Sequence, residues 1–124
     1  MASADELLAT ARSKFARLSV AEFDAERRAG ALVVDIRADR QREQDGELPG
    51  AVVIDRNVLE WRLDMKCPDR LSQVSGYEQR IIIVCNEGYA SSLAAAELHE
   101  IGLFNTTDLS GGFQAWLAAH RETD

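Results

Sequence analysis

Apolar positions recur along this chain at two spacings, and the switches between them mark out its elements. Leu8, Ala11, Phe15 and Leu18 fall three or four apart, which predicts an N-terminal amphipathic helix. Ser19-Val-Ala-Glu22 has the form of a capping box opening a second helix, and Gly30 stands just past its end. Ala31-Leu-Val-Val-Asp35 is a short β-branched run between Gly30 and a set of charges, the pattern of a buried strand. Residues 36–47 are strongly charged and predict a surface segment with room for one helical turn. Pro49-Gly50 marks a turn, and Ala51-Val-Val-Ile54 predicts a second buried strand. Residues 55–79 hold Trp61, Cys67, Pro68 and Gly76 and read as a long loop with some helix.

Ile81-Ile-Ile-Val84 is the clearest strand of the chain. A turn from Cys85 to Tyr89 follows, then a predicted helix from Ala90 to Ile101 with Ala94, Leu98 and Ile101 inward and Gly102 at its end. Thr106-Thr-Asp-Leu109 predicts a short strand, and Phe113, Trp116, Leu117 and His120 lie at helical spacing. Strands alternating with helices predict an α/β fold: a small parallel sheet with helices on both faces, three layers in all.

Composition narrows what such a domain does. At 124 residues the chain suits one core and needs neither metal nor disulfide to fold. Lysine and arginine number 14 against 21 acidic residues, a net charge of −7. That surface repels phosphate backbones and anionic lipid, so neither nucleic acid nor a membrane is an expected partner. Aliphatic runs such as Ile81 to Cys85 are too short to cross a bilayer. Asp5, Glu6, Arg12 and Lys14 break the order of a secretory signal, so the cytoplasm is the expected compartment. There Cys67 and Cys85 are expected as reduced thiols. Two cysteines with no matching His or Cys pair make no zinc set, and no metal or cofactor is expected.

The strand, the segment Cys85-Asn-Glu-Gly-Tyr-Ala-Ser91 and the helix after it form the informative unit. Ligands of open α/β sheets bind outside the carboxyl ends of the strands. Cys85 stands at such an end, just before a helix whose unpaired N–H groups favour an anion, be it thiolate, persulfide or oxyanion. Thiols at helix N-termini ionise more readily than free ones. Gly88 lets the turn curl so that several N–H groups converge. The plain alternative is that Cys85 is a small buried hydrophobe ending a core strand. The helix start and the glycine favour the reactive reading.

Four motifs then resemble one family. Val33-Val-Asp-Ile-Arg37 is similar to a first strand with an Asp-x-Arg signature, and Gly46-Glu-Leu-Pro-Gly-Ala51 to a Gly-His-Ile-Pro-Gly-Ala element. Ile81 to Gly88 resembles a strand with a Cys-x-x-Gly loop, and Leu109-Ser-Gly-Gly-Phe-Gln-Ala-Trp116 a Gly-Gly-x-x-x-Trp ending. In this order they resemble the rhodanese homology domain over about residues 18–120. Residues 1–17 are then an N-terminal helix and 18–124 a rhodanese-like domain, one structural unit overall. The resemblance implies a sulfurtransferase. Cys85 takes a sulfane sulfur as a persulfide and passes it to a thiol or cyanide. Loop N–H groups from Asn86 through Glu87, Gly88, Tyr89 and Ala90 to Ser91 cradle the persulfide, with Asp35 and Arg37 in support.

Departures from that family pattern sharpen the expectation. Ala90 stands where active loops often carry Arg, Ser or Thr, although Ser91 and Ser92 follow closely. Asn86 and Glu87 stand where thiosulfate-using members often carry basic residues. A carboxylate about 6 Å from a dianion costs on the order of 1 kcal/mol or more. Poor use of thiosulfate is therefore expected, with a small low-charge donor or a protein persulfide preferred. A phosphatase-type loop needs Cys-x5-Arg for its oxyanion. The corresponding residue is Ser91, which disfavours that chemistry.

Two rivals remain: a non-catalytic rhodanese-like module that binds a partner or senses sulfur, and a thiol redox protein using Cys85 and Cys67. Cys67 otherwise reads as a spectator. Asp35 and Arg37 either help order the loop or form a strand-end ion pair. Arg56 and Arg62 read as solvated rather than as positive charge at the pocket mouth. Tyr89 either walls the pocket or covers the helix start. Gly111-Gly112 reads as a tight turn, Trp61 and Trp116 as packing residues, and 37–47 as a solvated face. His99 is expected to be exposed, and neither it nor His120 has an acidic partner at motif spacing, so no catalytic histidine is assigned. The state is a monomer or a homodimer.

Overall fold

The computed structural model describes residues 1–121; 122–124, the end of the predicted domain, lie outside them. Four strands form one parallel sheet in the order β2-β1-β3-β4: β1 Leu32–Asp35, β2 Val52–Val53, β3 Ile81–Val84 and β4 Thr106–Asp108. Helices α1 Ala4–Arg12, α2 Val20–Arg28, α3 Asp39–Asp45, α4 Leu59–Leu63, α5 Ala90–Glu100 and α6 Gly112–Arg121 surround it.

The period of two along each strand sends alternate side chains to opposite faces. Val34, Ile81 and Ile83 enter a core with Leu59, Leu63, Ala94 and Leu98, against α4 and α5. Val33, Ile82 and Val84 enter a second core with Phe23, Leu109 and Phe113, against α2 and α6. Each fully buried aliphatic or aromatic side chain contributes about 1.5–3 kcal/mol. The three-layer α/β expectation holds.

Several local expectations are corrected. The N-terminal helix stops at Arg12, and the chain then turns through Ser13 to Phe15 before Leu18, which pairs with Leu109 along the outer side of β4. That covers a sheet edge which would otherwise present unpaired N–H and C=O groups. Leu18 and Ala11 are buried, so the apolar spacing marked real core contacts although the helix does not carry all of them. The 51–54 strand is an edge pair with Val53 44 % exposed, because only β1 flanks it. The charged 36–47 segment holds the seven-residue α3 instead of a single turn. Trp61 is 60 % exposed and packs nothing of the core, whereas Trp116 stacks on Phe113 at 5.6 Å. His99 is half-buried, its Nε2 2.8 Å from the carbonyl of Thr106. His120 meets Asp24 across α2 and α6, Nε2 to Oδ2 3.1 Å, a pairing invisible at motif spacing.

The Ser19 capping box forms as expected, with the Ser19 N–H on Glu22 Oε1 at 2.9 Å and the Glu22 N–H on Ser19 Oγ at 3.2 Å. The Ser19 N–H foremost, and the Ser19 hydroxyl after it, lower the Glu22 carboxyl from the usual carboxylate value. A depressed folded value adds stability above the unfolded one, and that stability is lost as pH falls through the folded one. Glu22→Gln should therefore flatten the acid limb of stability against pH below about pH 4.5. Urea melts across that range check it, and an unchanged slope would contradict it.

Candidate active site

Cys85 directly follows β3 at the carboxyl edge of the sheet, and α5 begins at Ala90. The turn between them curls so that the Gly88 and Ser91 N–H groups both donate to Cys85 Sγ, at 3.1 and 3.3 Å. Gly88 has φ +91°, and a Cβ there would lie 2.9 Å from the Gly111 nitrogen, so only glycine closes this turn. Gly112 is as constrained: a Cβ would sit 2.5 Å from the Cys85 carbonyl oxygen. That close approach lets the first turn of α6 hold the loop. The Phe113 and Gln114 N–H groups donate to the Cys85 and Asn86 carbonyls at 2.8 and 3.1 Å. Free N–H groups at a helix start thus find their acceptors in the loop. The Gln114 amide also donates to Asn86 Oδ1 at 3.0 Å and to Asp45 Oδ2 at 2.9 Å.

Behind the sulfur runs a buried polar chain. The Cys85 thiol donates to Ser91 Oγ at 3.2 Å, and Ser91 Oγ donates to Asp108 Oδ2 at 2.8 Å. Asp108 is fully buried at the end of β4 and accepts further bonds from Ser92 Oγ at 2.7 Å and from Arg17 at 2.9 and 3.1 Å. A buried carboxylate needs such partners, since an unpaired one is prohibitively costly.

In front of the sulfur is a cavity of about 280 Å³, lined by Cys85, Asn86, Glu87, Tyr89, Ala90 and Arg37 among others. Cys85 itself is 6 % exposed. Glu87 stands exposed at the lip, and Tyr89, 61 % exposed, walls the opening with the Arg12 guanidinium 6.0 Å from its ring centre. A larger hollow of about 610 Å³ beside Asp64, Lys66, Tyr77 and Gly102 has no cysteine in its lining and so offers no thiol chemistry.

Asp35 and Arg37 form a buried pair, Arg37 Nη2 to Asp35 Oδ2 2.8 Å, with both side chains sealed from solvent. Arg37 also donates to the Gly46 carbonyl at 2.9 Å and lies 3.6 Å over the Phe113 ring. It belongs to no solvated face, although the predicted charged run began with it. Among the described residues neither side chain hydrogen-bonds the 85–91 loop; Arg37 reaches the site only as cavity wall. Arg56 pairs with Glu60 at 2.9 Å and lines a neighbouring hollow with Arg37. Arg62 is half-buried and donates to the Asp69 carbonyl, so it is held in the fold and not freely solvated. Cys67, half-buried, does not line the Cys85 cavity.

Sequence reasoning missed Arg12, Arg17, Asp108 and Gln114. Asp108 alone left a signal, a carboxylate at the end of a strand neighbouring β3 in a parallel sheet.

Comparisons with known proteins agree with this architecture. The family model of the Rhodanese-like domain matches residues 19–119. Thiosulfate sulfurtransferase GlpE of Stutzerimonas stutzeri is 31 % identical over 102 residues, 82 % of this chain and 84 % of that protein. Thiosulfate sulfurtransferase GlpE of Pseudoalteromonas translucida is 33 % identical over 92 residues, 73 % of this chain and 77 % of that protein. Among solved structures, a Rhodopseudomonas palustris protein of unknown function, described as a possible tyrosine phosphatase, superposes with TM-score 0.87 at 29 % identity, covering 97 % of this chain and 92 % of that one. The human single-domain sulfurtransferase TSTD1 shares the fold, with TM-score 0.70 at 22 % identity, covering 82 % and 95 %. A cysteine loop set between strand and helix, and a family match spanning nearly all of the sheet and its helices, lead to one assignment: this chain belongs to the rhodanese-like domain family.

Proposed function

We propose that the protein is a rhodanese-type sulfurtransferase carrying sulfane sulfur on Cys85. The observation that bears most weight is the cradle itself: Cys85 Sγ at a strand end, receiving the Gly88 and Ser91 N–H groups, with a cavity in front of it. Such donors stabilise negative charge on sulfur. In the first half-reaction the Cys85 thiolate attacks the outer sulfur of a donor R–S–SH. A new S–S bond forms, the donor's own S–S bond breaks, and RS⁻ leaves. In the second, an acceptor thiolate or cyanide attacks the outer sulfur of Cys85–S–SH. The product is a new persulfide or thiocyanate, and Cys85 returns as thiol or thiolate. No outside oxidant is consumed.

The partners on this reading are a small sulfur donor or a protein persulfide and a thiol acceptor, in the cytoplasm, with no nucleic acid or membrane involved and the chain acting as monomer or homodimer. Among the described residues no helix is long and apolar enough to cross a membrane. A non-catalytic module is the second reading, favoured by Ala90, which brings no side-chain donor to the outer sulfur. Phosphatase chemistry fits less well. Ser91 occupies the position that needs arginine, and its hydroxyl is tied to the Asp108 carboxylate, so it offers no cationic fork to an oxyanion.

Intact-mass measurement after exposure to a sulfane donor tests the proposal. A gain of one sulfur that is then handed to cyanide or a thiol supports turnover. No adduct, or an adduct never passed on, supports the module. A loss of two hydrogens instead of a gain would point to Cys85–Cys67 redox chemistry.

Donor choice is a separate prediction. Arg37 is the cation in the cavity wall, and Asp35 neutralises it through both carboxylate oxygens. Glu87 stands at the lip. Glu87 therefore opposes a thiosulfate dianion at the mouth of the cavity, and kcat/KM should be about fivefold to tenfold lower for thiosulfate than for a singly charged persulfide. Steady-state kinetics with the two donors decides it; a preference for thiosulfate would refute it.

A further inference from the structure

We infer that Arg12 and Arg17, outside the span matched by the family model, are positioning residues that aim the Gly88–Tyr89 peptide at the sulfur site. The inference rests on the sulfurtransferase reading above. Arg12 Nη2 and Arg17 Nη2 both donate to the Gly88 carbonyl, at 2.8 and 2.9 Å. Arg12 Nε also donates to Ser92 Oγ at 3.0 Å, and Arg17 holds Asp108 with two donors. Two cations therefore converge on one peptide oxygen from behind the loop.

The peptide geometry turns this grip into a function. No cis peptide is present among the described residues, and in a planar trans peptide the C=O and the following N–H point in opposite directions. With the Gly88 carbonyl drawn back onto the guanidiniums, the Tyr89 N–H faces the other way. That is the side of the cavity, which Tyr89, Ala90 and Cys85 line. The Gly88 and Ser91 N–H groups already serve Cys85 Sγ. The Tyr89 N–H is then placed for the second sulfur of a persulfide, the donor that Ala90 lacks. Charge-assisted bonds to the carbonyl also polarise that peptide and strengthen its N–H as a donor.

Charge points the same way. Arg12 and Arg17 stand against a single buried carboxylate, Asp108, so one net positive charge lies behind the cradle of a protein whose net charge is −7. Among the described residues that line the cavity, the other charged groups are Arg37, paired with Asp35, and exposed Glu87 at the lip; Tyr89 is the remaining titratable one beside Cys85. The N-terminal segment thus supplies both guanidiniums that hold the Gly88 carbonyl.

Arg12→Met tests this without stranding Asp108, which keeps Arg17. Arg12 does not line the cavity, so donor binding should be spared. The expected result is a sulfur-loading rate about tenfold lower at saturating donor, with KM unchanged. In the native protein the Tyr89 amide proton should move downfield on sulfur loading, and in Arg12→Met that movement should shrink. Arg12→Lys keeps the charge and one donor; it should recover part of the rate, and it carries the test alone if Arg12→Met does not fold. Native-like loading in both variants with an unaltered Tyr89 shift would overturn the inference and leave the sulfurtransferase reading intact, as would a loss appearing only in KM. A native protein that takes up no sulfur overturns the sulfurtransferase reading, and this inference with it.

Discussion

Cys85→Ser is expected to abolish sulfur uptake and to lower transfer by about 10⁴-fold or more, the scale on which loss of a covalent nucleophile is felt. The fold should survive. Cys85 is nearly buried, and a serine oxygen at that position can accept the same Gly88 and Ser91 N–H groups that now meet the sulfur. What disappears is the soft, ionisable atom able to form an S–S bond. Intact-mass analysis with a sulfane donor, run beside a thermal melt, gives the readout: no added sulfur and a melting temperature close to that of the parent. Cys67→Ser should load as the parent does, because Cys67 does not line the cavity. Sulfur retained in Cys85→Ser and lost in Cys67→Ser would reverse the assignment.

Arg37→Ala is expected to bring the largest loss of stability, about 3–5 kcal/mol, because it leaves the Asp35 carboxylate buried without its counter-ion. A loss of that size is a large share of the roughly 5–15 kcal/mol that holds a domain folded. The guanidinium also closes onto the Gly46 carbonyl and the Phe113 ring, so its removal loosens α3 and α6 together. The double variant Asp35→Leu with Arg37→Met should recover much of the loss, since breaking a buried pair costs more than replacing both members with apolar groups. Chemical denaturation of the single and double variants measures it. A change under about 1 kcal/mol in Arg37→Ala would mean that the pair behaves as an exposed one.

These two outcomes separate chemistry from architecture at one sheet edge. Cys85, Asp35 and Asp108 lie at or just beyond the carboxyl ends of β3, β1 and β4. Only the first carries a thiol. Asp35 secures the wall through Arg37, and Asp108 secures the back of the loop through Ser91, Ser92 and Arg17. A parallel sheet delivers all three to one place because its strands end on the same side.

How far the sequence could be read depended on how local each cause was. The Ile81–Val84 strand, the Ser19 capping box and the glycine turn after Cys85 are written in neighbouring residues. Their spacing and side-chain chemistry act over one or two turns of chain. The edge position of β2 was hidden, because Val52 and Val53 resemble a central strand until the sheet order leaves one side open. Burial of Arg37 was hidden for a similar reason: in a charged run nothing marks the residue that a ring and a carbonyl will enclose.

By itself, then, the sequence determined the alternation of elements, the α/β class and the family, and it singled out Cys85 as the candidate nucleophile. Tertiary structure alone decided which groups stand around that nucleophile. Arg12 and Arg17 reach Gly88 across 76 and 71 residues, and Asp108 reaches Ser91 across 17. Contacts at such separations leave no periodic trace in the chain. They arise when two apolar faces of a sheet are covered and the covering segments bring their polar ends to a common edge.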